Sequence, residues 1–300
     1  MCEQCQMMED CNSKIVCRIC GSSEVTPHLT IESEVLDRCA ECGFVQVRHR
    51  PSEDSFEEIY SDSYFAHSKY RDPRALQLEN SRRLALLRQV LTEGAEVLDA
   101  GCSTGDFVWS AKSCYRIHGI DYSRYAIERA RSANPDVAER LVAGRLEDSP
   151  FAGHRFDGIC LWDVIEHLWD PVSVVMDLLS RLKPGGYLFI STPAIDAPMA
   201  RLAGRYWAFM TPPEHLGFFT RRSFEALFRE PLPGRIERMF RRGKWANVAF
   251  IGYKIGRVAP RWFPSWLLAP CRWPRLGRLN LYVPTGDVRY LVVRNLDRAS

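Results

Sequence analysis

Small residues and two acids follow a short apolar run in the segment VLDAGCSTGDF, residues 97–107. The run ends at Asp99, and Gly101, Cys102 and Gly105 lie in the turn that follows. Glycine lets the backbone approach a ligand without a side chain in the way. The pattern therefore predicts a buried strand, a ligand-contacting turn and a helix that offers free N–H groups.

The charges in this segment indicate what kind of ligand the turn takes. A dinucleotide site requires G-x-G-x-x-G, whereas here the third glycine is missing and Asp106 places a negative charge where a pyrophosphate would lie. Asp99 suits a cationic end such as an amino group, and Asp121, twenty residues past Gly101, can accept hydrogen bonds from ribose hydroxyls. Either acid alone is also typical of a helix cap. Together they describe S-adenosylmethionine.

Two later segments contain candidates for the chemistry. In LWDVIEHLWDP, Trp162 is predicted to wall the cofactor, Asp163 to contact substrate, and His167 to orient the loop or act in catalysis. In TPPEHLGFFT, His215 is predicted to be a general base or a substrate contact, because imidazole ionises near neutral pH. A packed, hydrogen-bonded histidine is the alternative. Such a base is needed only where the reacting group is a weakly acidic nucleophile.

Two cysteine pairs, CRIC and CAEC, are separated by 18 residues. Their cysteines are Cys17, Cys20, Cys39 and Cys42. This spacing is typical of a zinc ribbon, and four thiolates make the metal structural, since no coordination position stays open. A reduced thiol cluster without metal is the alternative. Cys2, Cys5 and Cys11 form a weaker candidate set in the N-terminal tail.

The elements that position these residues follow from hydrophobic periodicity. From Glu96 onward, apolar runs alternate with helical patterns, which predicts a parallel sheet covered on both faces. The predicted parts are a flexible tail at 1–13, a zinc ribbon at 14–50, a tyrosine-rich linker at 51–75 and an α/β domain at 76–300. Within the last, 193–219 is predicted to be a loop-rich lid, and the basic region before the final strand at 287–295 to be irregular.

The chain resembles the class I S-adenosylmethionine-dependent methyltransferases from about residue 75 to 300. The motifs VLDAGCSTGDF, GIDYS, RFDGICLWDVIEHLWDP and LKPGGYLFISTP carry the resemblance, in that order. It implies a Rossmann-like, seven-stranded, mostly parallel sheet with an antiparallel last hairpin. It also implies cofactor contacts from Asp99, Gly101, Cys102, Gly105, Asp121, Tyr122 and Trp162. Ser103 replaces the usual middle glycine, and Arg145 replaces an acid that contacts adenine, so Leu146 or Glu147 is expected to take over that contact.

A zinc ribbon, a YSDSYF linker and this core, in that order, resemble a bacterial subgroup of these methyltransferases. That subgroup is found in small-molecule and surface-glycan pathways. The resemblance implies methyl transfer to an oxygen or carbon of a sugar, quinone-like or natural-product acceptor. Tyr60, Tyr64 and Phe65 of the linker are expected either to cover the cofactor or simply to pack. An RNA methyltransferase with a zinc finger and a non-catalytic cofactor-binding protein are the alternatives. The first lacks an RNA-binding aromatic motif here, and the intact cofactor motifs argue against the second.

Charge is distributed unevenly along the chain. Residues 201–300 contain 19 basic and 6 acidic side chains, against 21 and 31 in the first 200. Segment 261–278, with Trp262, Trp266 and Trp273, is predicted to dock on anionic membrane or on a lipid- or phosphate-linked acceptor. The alternatives are an ordinary flap packed on the α/β core and a solvated surface, and nucleic acid is disfavoured. The absence of a signal peptide or spanning segment, together with eleven cysteines, predicts a cytoplasmic protein with reduced thiols.

Overall fold

The computed structural model describes residues 15–52, 72–146, 151, 153–229, 232–258, 264 and 266–296. The predicted tail, most of the predicted linker with Tyr60, Tyr64 and Phe65, and the candidate residues Glu147 and Trp262 lie outside these ranges.

Eleven strands are present in the described residues. They are β1 (Val25–Ile31), β2 (Glu34–Cys39), β3 (Val45–Val47), β4 (Glu96–Ala100), β5 (Arg116–Asp121), β6 (Leu141–Ala143), β7 (Phe156–Trp162), β8 (Leu182–Pro193), β9 (Gly217–Phe218), β10 (Gly234–Asn247) and β11 (Asn280–Asn295). Seven of them form one sheet in the order β10-β11-β8-β7-β4-β5-β6. Strands β4 to β8 pair in parallel, and β11 runs antiparallel to both β8 and β10. The predicted fold class is confirmed.

Helices cover both faces of this sheet. They are α1 (Pro73–Leu87), α2 (Asp106–Ala111), α3 (Arg124–Ala133), α4 (Pro171–Ser180), α5 (Pro198–Ala203), α6 (Arg221–Leu227), α7 (Val248–Val258) and α8 (Pro274–Gly277). Apolar residues of α1, α2 and α3 pack on one face, and those of α4 and α6 pack on the other. Side chains of Asp72, Ser123 and Asp170 cap α1, α3 and α4, which fixes where each helix begins.

Two segments differ from the sequence-based expectation. The basic region expected to be irregular contains the long strand β10, which pairs with β11 along most of its length. Its exposed arginines break up the apolar alternation that would have indicated a strand. The segment 193–219, expected to be loop-rich, contains α5 and β9. The proline-rich stretch near residue 270 forms only short helical turns, because proline interrupts longer helices.

The cysteine-rich N-terminal part shares a sheet with the rest of the chain. Strands β1, β2 and β3 form an antiparallel sheet whose fourth strand is β9. Arg18 donates from Nη2 to the Leu216 carbonyl at 2.7 Å and from Nη1 to the Trp169 carbonyl at 3.1 Å. Thr220 Oγ1 donates to the Cys42 carbonyl at 2.8 Å. The part at 14–50 therefore packs directly on the segment that precedes α6.

In the described part of the chain, no helix combines the length and apolar character that crossing a membrane requires. The eight cysteines there are free thiols.

Candidate active site

A cavity of about 730 Å³ opens at the carboxyl ends of β4, β5 and β7. Nine predicted site residues line it: Asp99, Gly101, Cys102, Asp121, Tyr122, Leu146, Trp162, Asp163 and His167. Helix α1 adds Leu76 and Arg83, and β10 adds Lys244 and Trp245. A volume of this size holds a nucleoside cofactor together with a small second ligand.

The glycine turn brings backbone to the cavity wall. Gly101 has a φ of 84°, and a Cβ there would lie 2.4 Å from Cγ2 of Val164, so no side chain fits. Ser103 adopts a φ of 49°, and its N–H donates to Asp121 Oδ2 at 2.8 Å. The serine thus takes the left-handed conformation for which glycine is usual, and the bond to Asp121 compensates.

Gly105 has a packing role in this structure. A Cβ on it would lie 2.8 Å from Nδ2 of Asn134 and 3.0 Å from Cβ of Ala130. Gly105 does not contribute to the cavity wall formed by the described residues. Among the described residues, Gly105 therefore has no cavity contact that corresponds to its predicted contact with cofactor. The close approach of α2 to α3 requires a glycine at this position.

Asp99 is a buried carboxylate in the cavity wall. Its residue is 2% exposed, and Oδ1 has no hydrogen-bond partner among the described residues. Burial raises the pKa of Asp99 to about 7, with Arg83 opposing the rise and Asp121 adding to it. An unsatisfied buried acceptor is costly, so this oxygen fits a ligand that brings a donor, such as an ammonium group.

Asp121 is oriented by its own turn. Oδ2 accepts from the N–H of Ser103 at 2.8 Å, and Oδ1 accepts from the N–H of Ser123 at 3.0 Å. These bonds hold the carboxylate at the tip of β5, where it lines the cavity. Nearby Tyr122 and Arg145 also line the cavity, with the Arg145 guanidinium 5.5 Å from the Tyr122 ring centroid.

Asp163 is held by two cations that the sequence analysis missed. Arg83 Nη2 lies 2.6 Å and Lys244 Nζ 3.8 Å from Asp163 Oδ2, and Ser191 Oγ donates to Oδ1 at 3.1 Å. Burial alone would raise the pKa of Asp163, but Lys244 and Arg83 hold it well below its ordinary value. The spacing of Asn80, Arg83 and Leu87 marks one helical face, so the sequence did contain a signal for a buried Arg83.

The two candidate histidines lie against each other. His167 donates from Nδ1 to the Glu214 carbonyl at 2.7 Å, and His215 donates from Nδ1 to the Phe209 carbonyl at 2.8 Å. Their ring centroids are 4.8 Å apart. Each neutral ring therefore carries its lone pair on Nε2. Burial lowers the pKa of both residues, that of His215 to about 3, so both are neutral at pH 7.

Only one of these histidines reaches the cavity. His167 lines it, whereas His215 does not do so within the described part of the chain. Behind them, Glu166 accepts from Thr192 Oγ1 at 2.8 Å, and burial raises the pKa of Glu166 to about 8. One ligand atom from each of Glu166, His167 and His215 lies within 4.8 Å of the others. This group can relay a proton or hold a cation.

The four ribbon cysteines converge on one point. Sγ of Cys17 lies 3.6 Å from that of Cys42, and Sγ of Cys20 lies 3.6 Å from that of Cys39. All four sulfurs lie within 4.8 Å of one another. Sulfurs around tetrahedral zinc at about 2.3 Å are about 3.8 Å apart, so the arrangement fits that ion.

A third group, Glu96, His118 and His154, lies at the opposite edge of the sheet. Glu96 Oε2 is 2.8 Å from His118 Nε2, and Glu96 Oε1 is 3.0 Å from Arg116 Nε. Because Arg116 already offsets the carboxylate, we interpret the group as a local ion-pair network.

Comparison with known proteins agrees with this geometry. The profile of a methyltransferase-domain family matches residues 50–230. A Mycolicibacterium smegmatis protein named "Probable S-adenosylmethionine-dependent methyltransferase" is 35% identical over 103 residues, 33% of this chain and 38% of that protein. A ubiquinone biosynthesis O-methyltransferase of Vibrio cholerae is 31% identical over 106 residues, 33% of this chain and 42% of that protein. The chain thus spans about two fifths of these relatives.

Among solved structures, magnesium protoporphyrin IX methyltransferase from Synechocystis PCC 6803 with bound SAH is similar in fold. The TM-score is 0.54 at 14% identity, over 81% of this chain and 100% of that chain. At this identity the similarity concerns the fold alone.

Proposed function

Because this chain belongs to the methyltransferase-domain family that residues 50–230 match, we propose that it transfers a methyl group from S-adenosylmethionine to a small-molecule acceptor. The observation that carries the proposal is the buried, unsatisfied carboxylate of Asp99 beside the Gly101 turn. A cationic amino group satisfies it, and Asp121 at the next strand tip is placed for a ribose.

We assign the cofactor's contacts to residues of the cavity wall. Asp99 binds the amino group, Asp121 accepts from ribose hydroxyls, and Trp162 with Tyr122 encloses the cofactor. Leu146 contacts the adenine, and Glu147, which lies outside the described residues, is the other candidate for that contact. When bound, S-adenosylmethionine supplies a methyl carbon activated by its sulfonium.

The acceptor is an oxygen or carbon nucleophile of a sugar, quinone-like or natural-product scaffold. His167 at the cavity wall takes the nucleophile's proton on Nε2, and His215, packed behind it, holds its ring in place. The buried position keeps His167 neutral and able to accept at pH 7. Asp163, held by Arg83 and Lys244, orients the acceptor. The name of the Vibrio cholerae relative, an O-methyltransferase of ubiquinone biosynthesis, supports a small-molecule acceptor.

We also propose a structural zinc ion on Cys17, Cys20, Cys39 and Cys42, supported by the sulfur–sulfur distances. With four thiolates the ion has no open position, so it organises the ribbon rather than taking part in methyl transfer. No disulfide joins the eight cysteines of the described chain, which favours a reducing compartment such as the cytoplasm.

Calorimetry tests the cofactor assignment. S-adenosylmethionine and its demethylated product should bind, and NAD should not. Asp121→Ala should weaken binding by about 1.5–3 kcal/mol, the scale of hydrogen bonds to a charged group. Asp136→Ala is the control, since this acid pairs with Lys112 outside the cavity and its loss should leave affinity unchanged. Full affinity in Asp121→Ala would remove the ribose assignment.

A further inference from the structure

A second cavity, of about 350 Å³, opens beside the middle of the paired strands β10 and β11. Arg241 and Met239 of β10 and Arg289 of β11 line it, together with Arg201 of α5 and Arg221 of α6. In β11, Leu291 packs with α4 and α6, whereas Tyr290 packs toward Trp162. Because side chains alternate along a strand, Arg289 lies on the face opposite the proposed active site. We call this cavity the arginine cleft.

The cleft has more positive charge than the protein compensates. Four arginines line it, and Asp196 is the one acid among its described lining residues. Asp196 Oδ1 accepts from Arg289 Nη2 at 2.7 Å, and its Oδ2 accepts from the backbone N–H of Arg221 at 2.9 Å. Among the described lining residues, this one carboxylate faces four arginines, which leaves a formal net charge of about +3 on the cavity wall.

Arg289 shows the imbalance most clearly. Its residue is 3% exposed, and its buried Nε has no hydrogen-bond partner among the described residues. Burial lowers the pKa of Arg289, and the charges of Arg241 and Arg221 lower it further, against the opposing effect of Asp196. Guanidinium groups stay charged in proteins, so this one is a buried cation that a nearby anion would stabilise.

Two exposed arginines of the cleft can supply further contacts to a ligand. Arg201 and Arg241 are exposed, and no ion pair joins either of them to an acid within the described ranges. Arg221 pairs with Glu225 at 2.8 Å, but both side chains are largely exposed, so that pair is weak. The guanidinium groups of Arg201 and Arg241 thus face the cleft without an ion pair to an acidic side chain of the described residues.

We propose that the arginine cleft binds a phosphate-bearing anion, either a phosphomonoester or a diphosphate group. Guanidinium forks match phosphate oxygens in pairs, and a phosphate group carries the two or more negative charges that the excess of about +3 calls for. A single carboxylate would leave most of that excess uncompensated. The phosphate can belong to a soluble ester or to a lipid headgroup. The proposal does not depend on the proposed methyl transfer.

Calorimetry with inorganic pyrophosphate tests the site in the full-length protein. One saturable site is expected, and Arg241→Gln should weaken it about tenfold or more, as loss of a charged hydrogen bond does. Arg242→Gln is the matched control: the two residues are adjacent and exposed, but Arg242, whose partner in β11 is Val288, is not among the described residues that line the cleft. It should change affinity by less than about twofold, since only long-range charge is lost. Arg201→Gln provides a second variant in the cleft. S-adenosylmethionine affinity should be unchanged in all three.

Phosphatidylcholine vesicles that contain phosphatidic acid separate the two sources of phosphate. Vesicle binding that pyrophosphate competes away and Arg241→Gln abolishes identifies a headgroup, whereas binding of pyrophosphate without vesicle binding identifies a soluble ester. Absence of saturable pyrophosphate binding overturns the proposal. Equal losses in Arg241→Gln and Arg242→Gln also overturn it, because they would indicate diffuse surface charge.

Discussion

Asp99 shows how one residue combines ligand recognition with an unusual ionisation. It lies buried at the end of β4, with one oxygen unpaired, and burial raises its pKa to about 7. The side chain is therefore largely neutral at pH 6 and largely ionised at pH 7.5. An ammonium group prefers the ionised form, so the proposed cofactor should bind more tightly as pH rises across this range.

The size of this effect follows from the titration. With a pKa of about 7, the ionised fraction of Asp99 rises from about 9% at pH 6 to about 76% at pH 7.5, so affinity should increase roughly fivefold to tenfold. Calorimetry across this pH range, in which the cofactor's amino group stays protonated, measures the change in affinity. In Asp99→Asn the affinity should be low and nearly independent of pH. A slope that persists in this variant would mean that another group titrates.

Site residues could be predicted where the local backbone conformation requires a particular residue type. They could not be predicted where contacts between distant parts of the chain bring the side chain to the site. Gly101 and Asp121 were found from sequence because a strand-end turn requires small and acidic residues there. Arg83 and Lys244 were missed because they approach Asp163 from elements about 80 residues away in either direction. The role of His215 stays a prediction: its ring packs against that of His167, which lines the cavity.

At the scale of elements, the two-residue strand β9 connects the N-terminal sheet with a distant part of the chain. It joins the ribbon sheet through Val45↔Phe218 and Gln46↔Gly217, and it lies directly after His215. A Cβ at Gly217 would lie 2.6 Å from Cζ of Phe44, which is 1% exposed. The contact between Phe44 and the strand β9 therefore requires a glycine at this position.

Gly217→Ala tests that contact. The added methyl group should destabilise the protein by about 1–3 kcal/mol, the usual cost of overpacking a core. Denaturant unfolding monitored by tryptophan fluorescence measures the change. Gly144→Ala is the control, because the nearest atom to a Cβ there is 3.9 Å away and no strain follows. Equal stability of the two variants would show that Phe44 moves aside freely.

The alternation of strands and helices from Glu96 to Pro193 was predictable because each element keeps a clear period. The strands β9 and β10 show where that reasoning weakens. A two-residue strand such as β9 has no period, and the arginines of β10 conceal its alternation behind exposed charge. The pairing of β9 with β3 connects distant parts of the chain, so no local pattern could indicate it.

At the scale of the whole molecule, the ribbon and the larger sheet share a hydrophobic core. Cys17, Cys39 and Phe44 belong to the same buried cluster as Leu178 and Phe224 of the helices on that face. Loss of the proposed zinc should therefore loosen the neighbouring lid, although the cofactor half of the cavity lies on other elements.

Cys39→Ser tests this connection. Wild-type protein should contain one zinc per chain by elemental analysis, and the variant should contain none. Hydrogen–deuterium exchange should rise at residues 215–220 and stay unchanged around β4 and β5, with S-adenosylmethionine affinity largely retained. Cys114→Ser, which removes a thiol far from the ribbon, should retain the metal. Metal-free wild-type protein purified without chelator would refute the zinc assignment.

The pairing of β3 with β9 also has a consequence for synthesis on the ribosome. Val45 and its partner Phe218 are 173 positions apart (218 − 45), so β3 leaves the exit tunnel long before its neighbour exists. At about 5–20 residues per second, translation takes roughly 10–35 s to supply that neighbour. Throughout this interval β3 lacks the partner of one of its edges, and an open strand edge can pair with another chain.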